Sequence, residues 1–240
     1  KNRHNRAVKV WDKRQFKNLD ADVEIGIRNI KMALRRLRHF AREGAAEELD
    51  LPGTIHSTAR NAGFLDLKMV PERHNAVKVL LLFDAGGSMD PHVRVCEELF
   101  SAVRTEFKHL EYFYFHNCLY EGVWKDNRRR YDEVYPVYDL VHTYSADYKL
   151  IFVGDATMNP YEITYANGSV EHWNEEPGAV WMQRVLDVYS RAVWLNPLPA
   201  RWWSGYSTDL IRRLFPMFPL TVTGLDDAVD TQLAVGVVRP

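Results

Sequence analysis

Acidic and hydroxyl-bearing residues follow two apolar runs that are typical of strands buried on both faces. Residues 77–84 read VKVLLLFD, and Asp84 is followed by Ala-Gly-Gly-Ser, which ends at Ser88. A second run, YKLIFVGD at 148–155, ends in Asp155. A hard divalent cation takes oxygen ligands, and glycines let a loop curl so that a Ser hydroxyl points back at the ion. If the two strands are neighbours, Asp84, Ser88 and Asp155 supply part of a cation shell.

Other chemistries at these two loops have less support. An Asp that ends a strand before Gly-Gly-Ser can simply cap the next helix and satisfy loop amides, and this interpretation stays open for Asp84. A nucleophilic Ser88 would need a GxSxG elbow, whereas the local order is Gly-Gly-Ser-Met-Asp. The loop also lacks the GxxxxGK[ST] and GxGxxG patterns that cradle nucleotide phosphates. Oxygen ligation of a cation is therefore the favoured chemistry.

Apolar strand-like runs alternate along the chain with stretches of helical periodicity. Further strands are predicted at 112–115, 192–195 and 219–222, a short edge strand around Val123 and Trp124, and helices at 91–109, 137–144, 179–189, 208–215 and 226–235. This alternation predicts an α/β fold of the Rossmann-like, doubly wound kind, with helices on both faces of a mostly parallel sheet. Such sheets bind ligands beyond the carboxyl ends of their strands, near the point where the strand order reverses.

The first 42 residues differ sharply in charge from the rest of the chain. They carry 13 Lys and Arg against 4 Asp and Glu, a net charge of +9, so the remainder carries −10. Apolar residues at steps of three and four predict an amphipathic helix over 20–42, whose other faces hold Arg35, Arg38 and Arg42 among further basic residues. We expect these arginines to contact a partner or the acidic body of their own chain, with an intramolecular contact or a plainly solvated helix ranked first.

Length and composition bound the domain organisation and the class of protein. The chain has 240 residues, of which 46% are hydrophobic, enough for one sizeable core. We expect a basic helical extension and connector over 1–73, irregular from residue 45 onward, and an α/β domain over 74–240. The absence of a membrane-length apolar run and the presence of only two cysteines predict a cytoplasmic protein. Because the chain opens on Lys1 without a signal-peptide pattern, we expect a fragment or processed product of a longer protein.

The pattern DxGxS at Asp84, Gly86 and Ser88 resembles the DxSxS motif of the metal-ion-dependent adhesion site in von Willebrand factor A (VWA) domains. Longer stretches of the sequence are similar to the CoxE-like VWA proteins of bacteria. This similarity lies in ALRRLRHFAREG at 33–44, ELDLPGTIHSTARNAG at 48–63, KVLLLFDAGGSMD at 78–90 and YKLIFVGDATMNPYEI at 148–163.

The resemblance implies a site for Mg²⁺ or Mn²⁺ at Asp84, Ser88 and Asp155, which match the family's positions. Two of the family's hydroxyl ligands are missing, so the motif is partly degenerate. Gly86 stands where the family has a Ser, and residues 131–138, where its Thr is expected, hold neither Thr nor Ser. The side chains considered as substitutes are Asn117, Thr143 and Thr157.

The resemblance further implies a protein-binding module rather than an enzyme. The cation would leave one coordination position for an Asp or Glu carboxylate of a partner, and proteins of this kind commonly act with MoxR-type AAA+ ATPases in chaperone-like maturation. Two alternatives stay open, namely nucleic-acid binding through the basic helix and divalent-metal-dependent hydrolysis at the two acidic loops. An exposed Trp202 or Trp203 would indicate an interface. No membrane partner is expected.

Overall fold

A computed structural model describes residues 28, 30–32, 34–35, 47–61, 64–71 and 77–233. The described part of residues 28–35 is helical. The strands are β1 Glu47–Leu49, β2 Met69–Pro71, β3 Lys78–Asp84, β4 His109–Phe115, β5 Gly122–Val123, β6 Tyr135–Pro136, β7 Lys149–Val153, β8 Val193–Asn196 and β9 Met217–Pro219. The α-helices are α1 Leu51–Arg60, α2 Val93–Glu106, α3 Val137–Thr143, α4 Pro160–Thr164, α5 Gly178–Val188, α6 Tyr206–Leu214 and α7 Val222–Leu233, and 3₁₀ turns lie at Gly87–His92 and Ala200–Trp202.

Five strands form a parallel sheet in the order β4-β3-β7-β8-β9. Parallel neighbours need crossover connections, and helices supply them, since α2 follows β3, α3 follows β4, α5 follows β7 and α6 follows β8. The prediction of a doubly wound, mostly parallel α/β sheet is confirmed. Among the described helices, none combines the length and the apolar character that crossing a bilayer would require.

The two faces of the sheet build two separate halves of the core, because successive strand side chains point to opposite faces. On β3, Val79 and Leu81 pack with residues of α2 and α7, whereas Leu80 and Leu82 pack with residues of α3, α5 and α6. All four are fully buried. A strand covered on both faces reads as a continuous apolar run, which is why VKVLLLFD is recognisable in the sequence.

The helical segment at 28–35 joins the core rather than standing apart from it. Ile30 and Leu34 are buried in the same cluster as β3 and α2. Arg35 Nε lies 3.1 Å from Oε1 of Glu106, a buried carboxylate at the end of α2. The basic segment thus meets an acidic group of its own chain through Arg35. Arg38 and Arg42 lie outside the described residues.

Two expectations from the sequence are wrong. Residues 45–73 are not irregular throughout, because β1 and β2 pair antiparallel around α1. Asp50 caps α1 by accepting a hydrogen bond from the Gly53 amide, and Pro52 stands in the first helical turn, where its missing N–H costs nothing.

The second error concerns the strand predicted at 219–222, because the strand lies earlier in the chain, at Met217–Pro219. The strand ends at Pro219 and α7 already begins at Val222, because Thr221 turns the chain as a helix cap. The Thr221 hydroxyl accepts from the Gly224 amide at 3.1 Å, and its carbonyl accepts from the Leu225 amide at 2.8 Å. A short β-branched sequence before a helix resembles a strand, although its Thr serves as the N-cap.

The short edge strand predicted around Val123 and Trp124 is present. Here β5 pairs antiparallel with β6, and Trp124 forms an antiparallel bridge to Tyr114 on β4. The Trp124 indole also donates to Asn127 at 2.6 Å. The β5–β6 pair and Trp124 therefore cover the free edge of β4, which would otherwise expose unpaired backbone groups.

Candidate cation site at the carboxyl edge of the sheet

The strand order reverses between β3 and β7. The chain leaves β3 toward β4 on one side and then returns across β3 to β7 on the other, which opens a crevice at the carboxyl ends of these two strands. The register pairs Phe83 with Val153, so the residues just after them, Asp84 and Gly154, meet at that edge. The two acidic loops predicted from the sequence therefore lie side by side at the position where this class of sheet binds ligands.

Asp84 is the last residue of β3 and is only 6% exposed. Its Oδ1 accepts hydrogen bonds from two backbone amides, that of Gly86 at 2.7 Å and that of Asn117 at 2.8 Å. Its Oδ2 is buried and has no hydrogen-bond partner within the described chain. A carboxylate oxygen in this state has lost its hydration without compensation, which is costly unless a cation or a proton binds it.

Gly154 allows the two strand ends to approach closely. A β-carbon at this position would lie 3.0 Å from the Asp84 β-carbon and 3.4 Å from its Oδ2. It would also lie 3.1 Å from the Trp194 ring. The sequence Gly-Asp at the end of β7 thus places a second acid beside Asp84 while leaving room for the first.

The loop after β7 is fixed through its own carbonyl groups. The Trp194 indole donates to the Gly154 carbonyl at 2.7 Å, the Asn196 amide to the Asp155 carbonyl at 2.9 Å, and the hydroxyls of Ser207 and Thr208 to the Ala156 carbonyl. Ala156 has φ 57°, a left-handed conformation that an alanine adopts only when its surroundings impose it.

These contacts hold Asp155 at the crevice, where it is 3% exposed. Its Oδ1 accepts from the Thr157 amide at 3.0 Å. Two buried carboxyl groups therefore share one rigid edge of the sheet.

Burial and the neighbouring acids disfavour the charged form of Asp84. Loss of hydration raises the pKa of this carboxyl, and the charges of Asp155 and Glu162 raise it further, whereas the hydrogen bonds from Gly86 and Asn117 lower it. The balance places its pKa at about 7. A divalent cation beside these carboxyls would reverse this cost, because it compensates both charges at once.

The remaining residues predicted for the site take different positions. Ser88 is exposed in the 3₁₀ turn that follows the Asp84 loop. Thr157 is exposed and contributes its backbone amide to Asp155. Thr143 ends α3, and its hydroxyl lies 3.0 Å from that of Tyr135.

Asn117 and Gly86 lie together beside Asp84. A β-carbon at Gly86 would lie 2.3 Å from Oδ1 of Asn117 and 3.0 Å from Oδ1 of Asp84. The Asn117 amide oxygen therefore occupies the space that a side chain at position 86 would need.

Glu162 was not identified from the sequence, and the structure places it at the same site. It is 1% exposed on α4, and its carboxylate accepts from the Asn117 side-chain amide at 3.2 and 3.4 Å. It also accepts from the Asn159 backbone amide, which closes a capping box with the Asn159 side chain. The Asn-x-x-Glu spacing at 159–162 is a local signal for a helix cap, and it does not indicate the contact with Asn117.

The donor set suits a hard cation. Among the described residues, no three side chains of the types His, Cys, Asp and Glu gather as a metal-holding group. The carboxyls of Asp84 and Asp155 offer oxygen at this edge of the sheet, and Ser88 carries a hydroxyl in the exposed turn that follows the Asp84 loop. Mg²⁺ and Mn²⁺ accept such oxygens together with several waters. The observation that favours a cation here is the buried Oδ2 of Asp84, which has no hydrogen-bond partner among the described residues.

Residues 23–121 match the family model described as VWA domain containing CoxE-like protein. The matched part includes Asp84, Ser88 and Asn117 and ends before Asp155. No curated protein and no solved structure matches the chain at a significant level.

Proposed function

We propose that this chain, which over residues 23–121 belongs to the CoxE-like family of VWA domain proteins, is a protein-binding module whose docking depends on a divalent cation. The cation, Mg²⁺ or Mn²⁺, is held by Asp84, Ser88 and Asp155. Bound there, it supplies a Lewis-acidic coordination position for one Asp or Glu carboxylate of a protein partner.

One observation carries this proposal, namely the buried Oδ2 of Asp84 without a hydrogen-bond partner in the described chain. A carboxyl that served only to cap the next helix would use its oxygens on loop amides. Here Oδ1 alone accepts both amide hydrogen bonds. The second oxygen stays unused next to another buried acid, Asp155, an arrangement that costs folding free energy and that a cation compensates.

Binding, as opposed to catalysis, is favoured by the surface around the site. Two exposed aromatic residues stand on helices that pack against each other beside the Asp155 loop, Tyr161 on α4 and Tyr206 on α6. Tyr206 directly precedes Ser207, whose hydroxyl anchors the Ala156 carbonyl. Trp202, in the loop after β8, is 60% exposed. Exposed aromatic side chains at one edge of a domain are typical of protein interfaces.

The partner class follows from the family resemblance and forms part of the proposal. A MoxR-type AAA+ ATPase that offers a surface carboxylate is the first candidate, in a chaperone-like maturation role. Its binding to the purified chain should require Mg²⁺ or Mn²⁺ and should disappear in EDTA. A complex of equal affinity in EDTA would mean that partner docking does not use the cation.

Calorimetric titration of metal-stripped protein with Mg²⁺ and Mn²⁺ tests the site itself. The parent, Asp84→Asn and Ser88→Ala are compared, with Asp90→Asn as the matched control because Asp90 is an exposed acid of the same turn. We expect binding in the parent and in Asp90→Asn, its loss in Asp84→Asn and weaker binding in Ser88→Ala. Equal affinity of Asp84→Asn and the parent, or no binding to the parent, would refute the proposed site.

A further inference from the structure

The Asn117 side chain has an unusual position for a loop amide. Asn117 follows β4 with φ 55°, a left-handed conformation, and its backbone amide donates to Asp84 at 2.8 Å. Its side chain turns into the same crevice, where Oδ1 lies against Gly86. The backbone amide and the side chain of Asn117 thus both contact the Asp84 loop. These contacts link the end of β4 to the candidate cation site.

The orientation of the amide is set by Glu162. The Glu162 carboxylate already accepts a hydrogen bond from the Asn159 backbone amide, and it accepts the Asn117 Nδ2 group at 3.2 Å. Because a carboxylate only accepts, the nitrogen of the side-chain amide must face Glu162 and the oxygen must face the space beside Gly86. The Asn159 backbone amide holds Glu162 through its hydrogen bond, so Glu162 supports the Asn117 side-chain amide from a fixed position.

A side chain at residue 86 and the side chain of Asn117 would need the same space. The position of a β-carbon at residue 86 is only 2.3 Å from Asn117 Oδ1, so a larger residue there would displace the amide. One oxygen can occupy this space, either the amide oxygen of Asn117 or a hydroxyl carried by residue 86. The chain uses glycine at 86 and fills the space from the neighbouring strand.

We propose that Asn117 Oδ1 is a ligand of the cation held at Asp84 and that Glu162 is the positioning residue that directs this oxygen to it. The inference rests on the proposed cation site and adds two residues to it. A group that orients a metal ligand through a hydrogen bond typically contributes about 10- to 100-fold to metal affinity.

The test is Mn²⁺ affinity by calorimetry on metal-stripped variants of the 240-residue chain. Asn117→Gly removes the amide and keeps the left-handed backbone free of strain, and we expect about tenfold weaker binding or more. Glu162→Gln keeps the size and an acceptor for the Asn159 amide, but its NH₂ group favours the flipped Asn117 amide, so we expect about tenfold weaker binding there too. The matched control Asn159→Ala loses the cap hydrogen bond to Tyr161 but leaves the Glu162 and Asn117 contact, and its affinity should stay at the parent value.

An exchange of the two positions provides the sharper test. Gly86→Ser alone should displace Asn117 and weaken binding, whereas Gly86→Ser combined with Asn117→Gly provides a hydroxyl in the vacated space and should recover at least part of the lost affinity. Melting temperature with and without Mn²⁺ separates ligation from stability. A merely structural role would lower both melting temperatures equally, while loss of a ligand reduces the shift that Mn²⁺ produces.

The outcomes distinguish this inference from the site on which it rests. If the parent binds Mn²⁺, Asp84→Asn does not, and both Asn117→Gly and Glu162→Gln bind like the parent, the inference is overturned while the cation site stands. If Asn117→Gly weakens binding but Glu162→Gln does not, the positioning role of Glu162 is overturned. If the parent itself binds no Mn²⁺, the site and the inference fail together.

Discussion

Replacing Asp84 by Asn should stabilise the cation-free protein at alkaline pH. The substitution keeps the shape and the acceptor for the Gly86 and Asn117 amides, and it removes a buried charge that lies beside Asp155. The stabilisation arises because the folded state raises the pKa of Asp84 from 3.8 to about 7. The parent therefore carries a cost for ionised Asp84 in the folded state that the variant does not have.

The sign and the size follow from proton linkage. A carboxyl whose pKa is higher in the folded state binds more protons folded than unfolded, so the free energy of unfolding of the parent falls as pH rises from about 4 to about 7. Each pH unit in this window costs about 1.4 kcal/mol, and the shift of about 3 units sums to at most about 4 kcal/mol. Asp84→Asn lacks this loss, so its advantage over the parent should grow across the window and then level off above pH 8.

Urea unfolding in EDTA at pH 5, 6, 7, 8 and 9 measures this difference, with Asp90→Asn as the exposed control that should track the parent at every pH. Added Mn²⁺ should reverse the order at pH 8, because the cation stabilises only the protein that binds it. An Asp84→Asn variant that is equally stable relative to the parent at pH 5 and pH 9 would refute the reasoning, since it would show that Asp84 is not held at a raised pKa.

Three further results are expected. Leu34→Ala should lower the free energy of unfolding by about 2–5 kcal/mol in urea titrations because Leu34 is 1% exposed in the main core, and a loss below about 0.5 kcal/mol would mean that the basic segment does not pack there. Cys96 and Cys118 should react with a thiol reagent only as fast as the protein unfolds, because burial raises the pKa of both thiols, that of Cys96 to about 12. Rapid labelling under native conditions would contradict this. Because Arg35 pairs with Glu106 of its own chain, a fluorescent oligonucleotide should show no salt-dependent anisotropy change between 50 and 200 mM salt, and strong binding that salt abolishes would instead support the nucleic-acid alternative.

The strands of the main sheet were predictable because the apolar character of each one is visible in a short stretch of sequence. A strand buried on both faces must be apolar along its length, so β3 and β7 stand out in the sequence. The run of β3 ends in Asp84, and β7 is followed by Gly154 and Asp155. The same logic failed for β9 and α7, where Thr221 acts as a helix cap and a short apolar run resembles a strand. It failed again at α1, which lies in the stretch predicted to be irregular, although Pro52 is compatible with a first helical turn.

The candidate site was predictable only in part. Asp84 and Asp155 could be placed together because carboxyl ends of parallel strands meet at one edge, which needs only the assumption that β3 and β7 are neighbours. Glu162 could not be placed, because an Asn-x-x-Glu spacing indicates a helix cap and says nothing about a third element that the Glu reaches. Its contact with Asn117 spans 45 residues of sequence.

The sequence by itself determined the alternation of strands and helices, the two acidic loops and the basic character of the first 42 residues, because each depends on side-chain type and spacing over a short stretch. The tertiary structure alone decided which oxygen of Asp84 remains unpartnered, that Asn117 fills the space beside Gly86, and that Arg35 pairs with Glu106. These facts depend on distances between groups far apart in the chain, and packing fixes those distances only when all the elements are in place.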